Sequence, residues 1–404
     1  MGLVSNWMIE QQERGYSEAD GDICPNCVND PALKAWVSNN LSATECSFCE
    51  RESEEAIAAS FDDFMGIVLE GVWFDWNSPE GEGVMYITRE GGFQARLTDS
   101  YDVFGGYDIS DSADVVETII DSVDNTSWVQ RDFYRGDEGQ RLGYGWRWFK
   151  HVTMHQSRFL FLKHEGEQHD DDMPPAWMLG IIGDVIVKRL GQYPLIKTLS
   201  EETDLYRIRV AAVPCDTAAA IGTPPVQFAT QANRMSPAGI PMFYCAYDIE
   251  TAKAETIDPD HHAGQVMSIG RFHPVRPLRV LDLAELPDIP SVFAEETRDL
   301  IHPMRFLHEF AADLVKRIAR DGREHIEYVP TQIVTEYFRR MFRDAAGQQL
   351  DGLVYRSSRQ RGGKALVLFC ENHQCAEPGG HSRKAMVQLH AVAHEVYPGE
   401  TPPA

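Results

Sequence analysis

The spacing of hydrophobic residues changes once along this chain, near the segment "GQYPLIKTLSEETD" at residues 191–204. Before this segment, apolar residues recur at three- and four-residue steps, which is typical of amphipathic helices. The clearest series is Ile57, Phe61, Phe64, Met65, Val68 and Leu69. After the segment, short runs such as "LYRIRVAAV", "IPMFYCAY" and "KALVLF" read as strands. We therefore predict a multidomain protein, with a mainly α N-terminal half and an α+β C-terminal domain that contains a mixed sheet.

The same pattern divides the chain into four segments. A length of 404 residues exceeds what one hydrophobic core usually organises, so two or three domains are expected. Residues 1–52 are polar and carry paired cysteines, residues 53–192 form the helical domain, and residues 200–370 form the α+β domain. Residues 371–404 have weak periodicity and are expected to form a C-terminal tail.

The charge balance disfavours nucleic acid and membranes as partners. The chain contains 62 acidic and 37 basic residues, which gives a formal net charge of -25. Such a charge repels phosphate backbones and anionic lipid. No run approaches the ~20 apolar residues of a membrane helix, and the N-terminus lacks the basic start and apolar centre of a secretory signal. We therefore expect a soluble, cytoplasmic protein.

Four of the eight cysteines fall in two close pairs. Cys24 and Cys27 form "CPNC", Cys46 and Cys49 form "CSFC", and eighteen residues separate the pairs. Two such knuckles bring four thiolates around one ion in tetrahedral geometry, and zinc is the usual occupant. The alternative is four unrelated thiols, which this spacing disfavours. Because four protein ligands leave no open coordination position, we predict a structural Zn2+ site without chemistry of its own.

Two further groups of residues match functional patterns only in part. Cys370, His373 and Cys375 in "CENHQC" are ligand-type residues, but no fourth ligand is identifiable, so coincidence is the favoured interpretation. Arg158 and His164 in "SRFLFLKH" are separated by five residues, and the segment resembles the Arg-and-His pattern of the HEPN superfamily of helical nucleases. Given the negative charge of the chain, a structural role within a helix is favoured over RNA cleavage.

Several polar residues of the C-terminal half each have an ordinary structural explanation. Arg207 interrupts the strand "LYRIRV", as an edge-strand residue facing solvent would. Arg234 precedes the turn "SPAGIP", where a guanidinium can bind phosphate or join the loop to a carboxylate. Tyr244 lies within the strand "IPMFYCAY" and by itself indicates a core residue. Glu255 lies on the helix "ETAKAETI", for which Asp248 is the expected N-cap.

The order of these residues resembles the RES domain, a family named for its Arg, Glu and Ser. The likeness runs from about residue 200 to residue 370 through "LYRIR", "NRMSPAGIPMFY", "TAKAE", "YVPTQ", "DGLVYRSS" and "GGKALVLF". The preceding cysteine-pair and helical region resembles the HEPN-type N-terminal domain found fused to RES domains. The resemblance implies a fold similar to ADP-ribosyltransferases. It also implies a bacterial toxin that destroys NAD+ by hydrolysis or phosphorolysis.

The resemblance also implies roles for individual residues. Glu255 would stabilise the positive charge that develops on the ribose as neutral nicotinamide leaves. Arg207 and Arg234 would bind the diphosphate or a phosphate nucleophile. Tyr244 would stack against nicotinamide, and Ser357 would orient a ribose hydroxyl or the carboxamide. No residue need form a covalent intermediate.

The match to the family pattern leaves one position open and departs at three others. The family's Ser corresponds to Ser357, with Ser358 as the alternative. Asn233 stands where the family often has Gly, Ser236 where Asn is frequent, and Arg356 where Pro is usual. These departures are expected to alter the detailed shape of the pocket more than its presence.

Other functions could use the same residues. One is an ADP-ribosyltransferase that modifies a macromolecule, and another is a non-catalytic sensor that binds NAD or ADP-ribose. Retention of Glu255 beside both arginines and Ser357 favours catalysis over binding alone. The expected partners are NAD+ as substrate, an antitoxin or trigger protein, and further copies of this chain in a homo-oligomer. The N-terminal segments would then sense a trigger, bind a partner or drive oligomerisation in phage defence.

Overall fold

A computed structural model describes residues 14–89, 91–161, 173–316, 322–380 and 383–398 of the chain. These residues form two compact units. The first unit comprises the described residues up to Arg141 together with Ile289–His302, and the second comprises Leu142–Asp288 and the described residues from Pro303 onwards. Among the described helices, none combines the length and the apolarity that crossing a bilayer requires.

The first unit is built from helices and very short strands. Its helices are α1 (Pro31–Asn39), α2 (Phe61–Asp75), α3 (Ser100–Gly105) and α4 (Ala113–Ser122). Its strands are β1 (Asp22–Ile23), β2 (Ala59–Ser60), β3 (Trp76–Asn77), β4 (Tyr86–Ile87), β5 (Gly92–Phe93), β6 (Thr98–Asp99) and β7 (Ser127–Gln130). Helix α2 begins where the Ser60 hydroxyl accepts the Asp63 N–H, and it buries Phe61, Phe64, Val68 and Val72 along one face. The helical period predicted for this region is confirmed.

Helix α5 (Glu138–His155) ends earlier than the hydrophobic pattern indicated. The sequence predicted helix through "SRFLFLKH", but Arg158 follows the end of α5 in a non-helical segment, and His164 lies outside the described residues. Helix α6 (Pro175–Asp184) starts with proline at its first position and continues as one π-helical turn over Val185–Arg189.

The second unit contains a nine-stranded mixed sheet. Its strands are β8 (Ile196–Leu199), β9 (Leu205–Ala211), β10 (Phe243–Ala246), β11 (Val266–Pro274), β12 (Leu278–Asp282), β13 (Gly352–Arg356), β14 (Lys364–Leu368), β15 (Cys375–Ala376) and β16 (Val387–Val396). They are ordered β15-β16-β11-β9-β10-β14-β13-β12-β8. The pairs β12–β13 and β15–β16 are parallel, and the other pairs of neighbours are antiparallel. The prediction of a mixed sheet is therefore confirmed.

The two longest strands are absent from the sequence-based prediction. Strand β11 pairs with β16 along its whole length, with a register shift between Arg271 and Phe272. The segment after residue 370, where the pattern indicated a tail, thus contributes β16 to the sheet. Positions 267–270 of β11 are all buried, so its burial does not alternate along the strand. A strand covered on both faces lacks the period-two signal.

Short helices connect these strands. They are α7 (Ala218–Ile221), α8 (Ile249–Thr256), α9 (Pro259–His262), α10 (Ile301–Val315), α11 (Glu324–Glu327) and α12 (Val329–Arg340), of which α10 starts at the boundary between the units. Helix α8 follows β10 almost directly, and the Asp248 side chain accepts the Thr251 N–H as its N-cap, as predicted. The fixed start of α8 places Glu255 close to the end of the helix.

Candidate functional site

One cavity in the second unit brings together four of the residues singled out from the sequence. It measures about 350 Å³, and Arg207, Arg234, Tyr244 and Glu255 all line it. Ser357 is not among the lining residues, whereas its neighbour Ser358 is. The lining residues come from β9, β10, α8, β13, β14 and the loops beside them, so segments distant in sequence converge on one volume.

Arg207 lies on β9 and is largely committed to the backbone around it. Its Nε donates to the carbonyls of Ile221 (2.8 Å) and Gly222 (3.1 Å), and its Nη1 donates to the carbonyl of Tyr244 (2.6 Å). The guanidinium carbon lies 5.3 Å from the centre of the Phe243 ring, and burial lowers the pKa of Arg207. Its Nη2 makes no hydrogen bond to the residues that the structure describes. Arg207 therefore joins β10 to the turn after α7 and has one nitrogen left for a ligand.

Arg234 lies in a loop whose backbone accepts hydrogen bonds from two side chains of α12. The Thr331 hydroxyl donates to the Arg234 carbonyl (2.5 Å), and the Gln332 amide donates to the Asn233 carbonyl (2.8 Å). Both side chains are more than nine-tenths buried. Among the residues that the structure describes, the guanidinium makes a single long contact, from Nη1 to the Leu314 carbonyl at 3.5 Å. The backbone of Arg234 is thus fixed while its charged group remains available.

Tyr244 lines the cavity together with these two arginines. Its hydroxyl forms a hydrogen bond of 3.0 Å with the Ser236 hydroxyl, in the loop that carries Arg234. Burial raises the pKa of Tyr244 to about 12, so the phenol stays protonated at neutral pH. Ser236, one of the departures from the family pattern, therefore orients the ring.

Glu255 lines the cavity and is held by Ser357. The Ser357 hydroxyl donates to Glu255 Oε1. The same oxygen of Ser357 accepts the backbone N–H groups of Arg359 (3.1 Å) and Gln360 (2.9 Å). Because both acceptor positions of the hydroxyl are used by the backbone, its proton is directed at the carboxylate. Ser357 positions Glu255 and does not face the cavity, while Ser358 does.

The cavity has a surplus of positive charge. Three guanidinium groups, from Arg207, Arg234 and Arg359, line it together with the single carboxylate of Glu255. Arg359 also donates to the Ile257 carbonyl (3.2 Å), which holds it at the end of the helix that carries Glu255. In a chain with a net charge of -25, such a local surplus selects for an anionic ligand.

Several residues of this site escaped the sequence-based reasoning. Thr331 and Gln332 belong to "YVPTQ", a motif for which the sequence indicates only the resemblance to the RES domain. Their hydrogen bonds to the loop of Arg234 give this motif a structural role. Tyr355 lines the cavity, and burial together with the nearby Glu255 carboxylate raises its pKa well above the usual range. Arg359 lies in the polar loop "SSRQRGG", where the sequence pattern does not distinguish it from Arg361.

A more open cavity of about 610 Å³ continues the site along α8. It shares Arg234, Tyr328, Ser358 and Arg359 with the smaller cavity. Four shared walls make the two volumes parts of one groove, which is long enough for a ligand with two separate polar groups.

In the first unit, Cys24, Cys27, Cys46 and Cys49 form a cluster that could bind a metal ion, and their sulfur atoms lie within 4.8 Å of one another. Three of the sulfur–sulfur distances are 3.6–3.8 Å. Thiolates at ~2.3 Å from a tetrahedral ion would be separated by about 3.8 Å, whereas a disulfide requires ~2.05 Å. Burial opposes ionisation of Cys46, but backbone N–H groups outweigh it and lower its pKa to about 7. The geometry therefore fits four-thiolate coordination.

The other cysteine group is arranged differently. The sulfur atoms of Cys370 and Cys375 lie 3.8 Å apart and are buried, whereas the His373 side chain is 60% exposed and lies 3.6 Å from Glu371. Among the described residues, only the four N-terminal cysteines group as metal ligands.

Comparison with known families gives two matches. Residues 39–167 match the family model described as HEPN/RES N-terminal domain 1, and residues 204–387 match the model described as the RES domain. Searches of the curated proteins and of the solved structures found no significant match.

Proposed function

Because this chain carries a RES domain behind a HEPN/RES N-terminal domain, we propose that it degrades NAD+ by cleaving the nicotinamide–ribose bond. We further propose that it acts as a bacterial toxin or phage-defence effector. The RES family is associated with enzymes that act on NAD. The observation that carries the proposal is the carboxylate of Glu255, held by Ser357 in a cavity with three guanidinium groups.

The chemistry of NAD+ matches this arrangement of charges. When the bond from ribose to the nicotinamide nitrogen breaks, the electron pair leaves with neutral nicotinamide and the ribose becomes cationic. The Glu255 carboxylate stabilises that developing charge. Attack by water then yields ADP-ribose and a proton, whereas attack by inorganic phosphate yields ADP-ribose 1''-phosphate.

The guanidinium groups bind the pyrophosphate. Among the described residues, the guanidinium groups of Arg234 and Arg359 are less engaged in hydrogen bonds than that of Arg207. Both lie where the smaller and the larger cavity meet. Arg207 contributes Nη2 and supports the strand that carries Tyr244. Tyr244 forms an aromatic wall for the nicotinamide ring, and its protonated hydroxyl stays bound to Ser236.

Two structural assignments accompany this function. The RES resemblance assigns the second unit to an ADP-ribosyltransferase-like fold, which the mixed sheet and the helix carrying Glu255 directly after β10 support. The sulfur–sulfur distances of the cysteine cluster support zinc as its ion. Bound by four thiolates, zinc would stabilise the N-terminal fold and take no part in the reaction.

Incubation of the full chain with NAD+, with and without phosphate, tests the proposal by identification of the products. ADP-ribose indicates hydrolysis, ADP-ribose 1''-phosphate indicates phosphorolysis, and both support the proposed bond cleavage. ADP-ribose attached to a macromolecule would indicate transfer instead. NAD+ that binds without being consumed would contradict catalysis and favour a sensor.

Ser357→Ala is expected to lower kcat at least about tenfold with little change in KM. A hydrogen bond to a charged group contributes ~1.5–3 kcal/mol, and each ~1.4 kcal/mol lost from the transition state is a factor of ten. Steady-state nicotinamide release measures the effect. Ser357→Thr keeps a hydroxyl and should recover most of the activity.

Ser200→Ala is the matched control, because it removes a hydroxyl from an exposed position outside the cavity and keeps the Ser357–Glu255 bond. Wild-type kcat for Ser357→Ala would show that this bond does not position Glu255 for the reaction.

Gln332→Leu is expected to raise KM for NAD+ about tenfold with a smaller change in kcat. The substitution removes the donor to the Asn233 carbonyl, so the loop that presents Arg234 loses its support. The control is Thr335→Val, which removes a buried hydroxyl from the same helix. This hydroxyl donates to the Thr331 carbonyl and makes no other hydrogen bond to described residues. Equal KM values for the two variants would refute the role of Gln332 in placing the loop.

A further inference from the structure

A second cavity of the same unit shares one wall with the proposed active site. It measures about 470 Å³, and Arg234 lines both volumes. Its other walls come from the C-terminal half of α5, the end of α10, α11 and the start of α12. Volumes of 300–1,000 Å³ are usual for small-molecule sites. The α5 residues belong to the region matched by the HEPN/RES N-terminal model, although they lie in the second compact unit.

The inner walls of this cavity are largely apolar. They are formed by Trp146, Met154, Ile326 and Pro330. The indole N–H of Trp146 donates to Asp313 (2.8 Å), and its ring packs against Phe310, so the largest wall is held in one orientation. The Trp146 ring is 4% exposed, with Phe149 stacked on it and the Lys150 ammonium 5.5 Å from its centre, so a ligand meets the edge of the ring together with Met154, Ile326 and Pro330.

The rim of the cavity carries uncompensated positive charge. Both acidic residues among the described lining already form ion pairs, Asp313 with Lys150 and Glu327 with Arg323 at 2.7 Å. Lys316 has no ion pair among the described residues. Arg234 adds a second positive charge, and its one contact within the described part of the chain is the 3.5 Å hydrogen bond to the Leu314 carbonyl. The ligand that complements this rim is an anion.

This cavity is separate from the groove of the proposed active site. The two parts of that groove share four lining residues, whereas the second cavity shares only Arg234 with each of them. The groove therefore offers a dinucleotide its own path along α8, and the second cavity remains for another molecule.

We infer that the second cavity binds a phosphate-bearing ligand of the nucleoside monophosphate class. The base lies among Met154, Ile326 and Pro330 beside the edge of Trp146, and the phosphate lies between Lys316 and Arg234. Since the NAD+ pyrophosphate needs the same Arg234 guanidinium, binding of one ligand weakens binding of the other. Only this antagonism rests on the proposed function; occupancy of the cavity does not.

Calorimetric titration of the full chain with AMP, GMP, CMP and UMP tests occupancy, with adenosine and inorganic phosphate as separate probes. At least one monophosphate is expected to bind, and more tightly than either fragment. Lys316→Glu reverses a rim charge and Met154→Trp fills the cavity, and each should weaken binding at least about tenfold. The control Arg359→Ala alters the other groove and should leave binding intact.

No binding of any of the four monophosphates would overturn the inference. Binding that Arg359→Ala abolishes while Lys316→Glu and Met154→Trp leave it unchanged would overturn it too, because the ligand would then occupy the NAD+ groove. Melting temperatures of the variants show whether each is folded.

The antagonism has its own readout in NAD+ turnover. A bound monophosphate should raise KM for NAD+ in the wild type, and the increase should shrink at least about fivefold in Lys316→Glu. An equal increase in both proteins would refute the coupling through Arg234. If the chain does not consume NAD+, the proposed function fails, while calorimetry still decides on the second site.

Discussion

Replacing Glu255 by Gln is expected to reduce nicotinamide release from NAD+ at least about 10²-fold while the protein remains folded. The amide keeps the size of the side chain and can still accept the Ser357 hydroxyl, so the local structure persists. It lacks the negative charge that stabilises the cationic ribose, and loss of one such electrostatic contact typically costs ~10²–10³ in rate. The measurement is nicotinamide release under single-turnover conditions.

The control for this substitution is Glu202→Gln, which removes the same charge from an exposed position outside the cavity. Its rate should equal that of the wild type. Equal melting temperatures for both variants would show that the loss is chemical. Nicotinamide release at the wild-type rate by Glu255→Gln would remove Glu255 from the mechanism.

Cys46→Ser is expected to abolish metal binding and to lower the melting temperature of the first unit by about 10 °C or more. Structural zinc contributes ~10–16 kcal/mol of apparent binding free energy in small zinc domains, and part of it stabilises the fold. Cys46 is fully buried beside Cys24 and Ala58, so the vacated site cannot be filled by solvent without rearrangement. Elemental analysis and calorimetric unfolding measure the two effects.

Cys215→Ser provides the matched control, because Cys215 is a half-buried cysteine outside the cluster. This variant should retain one zinc ion per chain. Wild-type protein purified without chelator and found free of zinc would refute the assignment of the ion.

Local signals in the sequence predicted the elements that carry the site. Asp248 before "ETAKAETI" predicted the start of α8, and alternation predicted β9, β10 and β14. A cap or a period of two depends on neighbouring residues alone, so one sequence suffices to find it. The position of Glu255 near the end of α8 follows from the same signals.

What the sequence did not predict depends on contacts between distant segments. Strand β16 is exposed over much of its length and owes its conformation to pairing with β11. Ser357 had been predicted to contact the ligand, and only the packing of its loop against α8 turns the hydroxyl toward Glu255. The Gln332 amide likewise has a role only through its hydrogen bond to a loop almost a hundred residues earlier in the chain.

The hydrogen bond between Ser357 and Glu255 joins positions 102 residues apart along the chain. Closing a loop of that length costs conformational entropy before the contact contributes any stabilisation. Contacts of high sequence separation therefore form late in folding. During synthesis, a chain that has already emerged past Glu255 still lacks the hydroxyl that positions the carboxylate. The interval between translation of the two residues is therefore a period in which the nascent polypeptide has no assembled site.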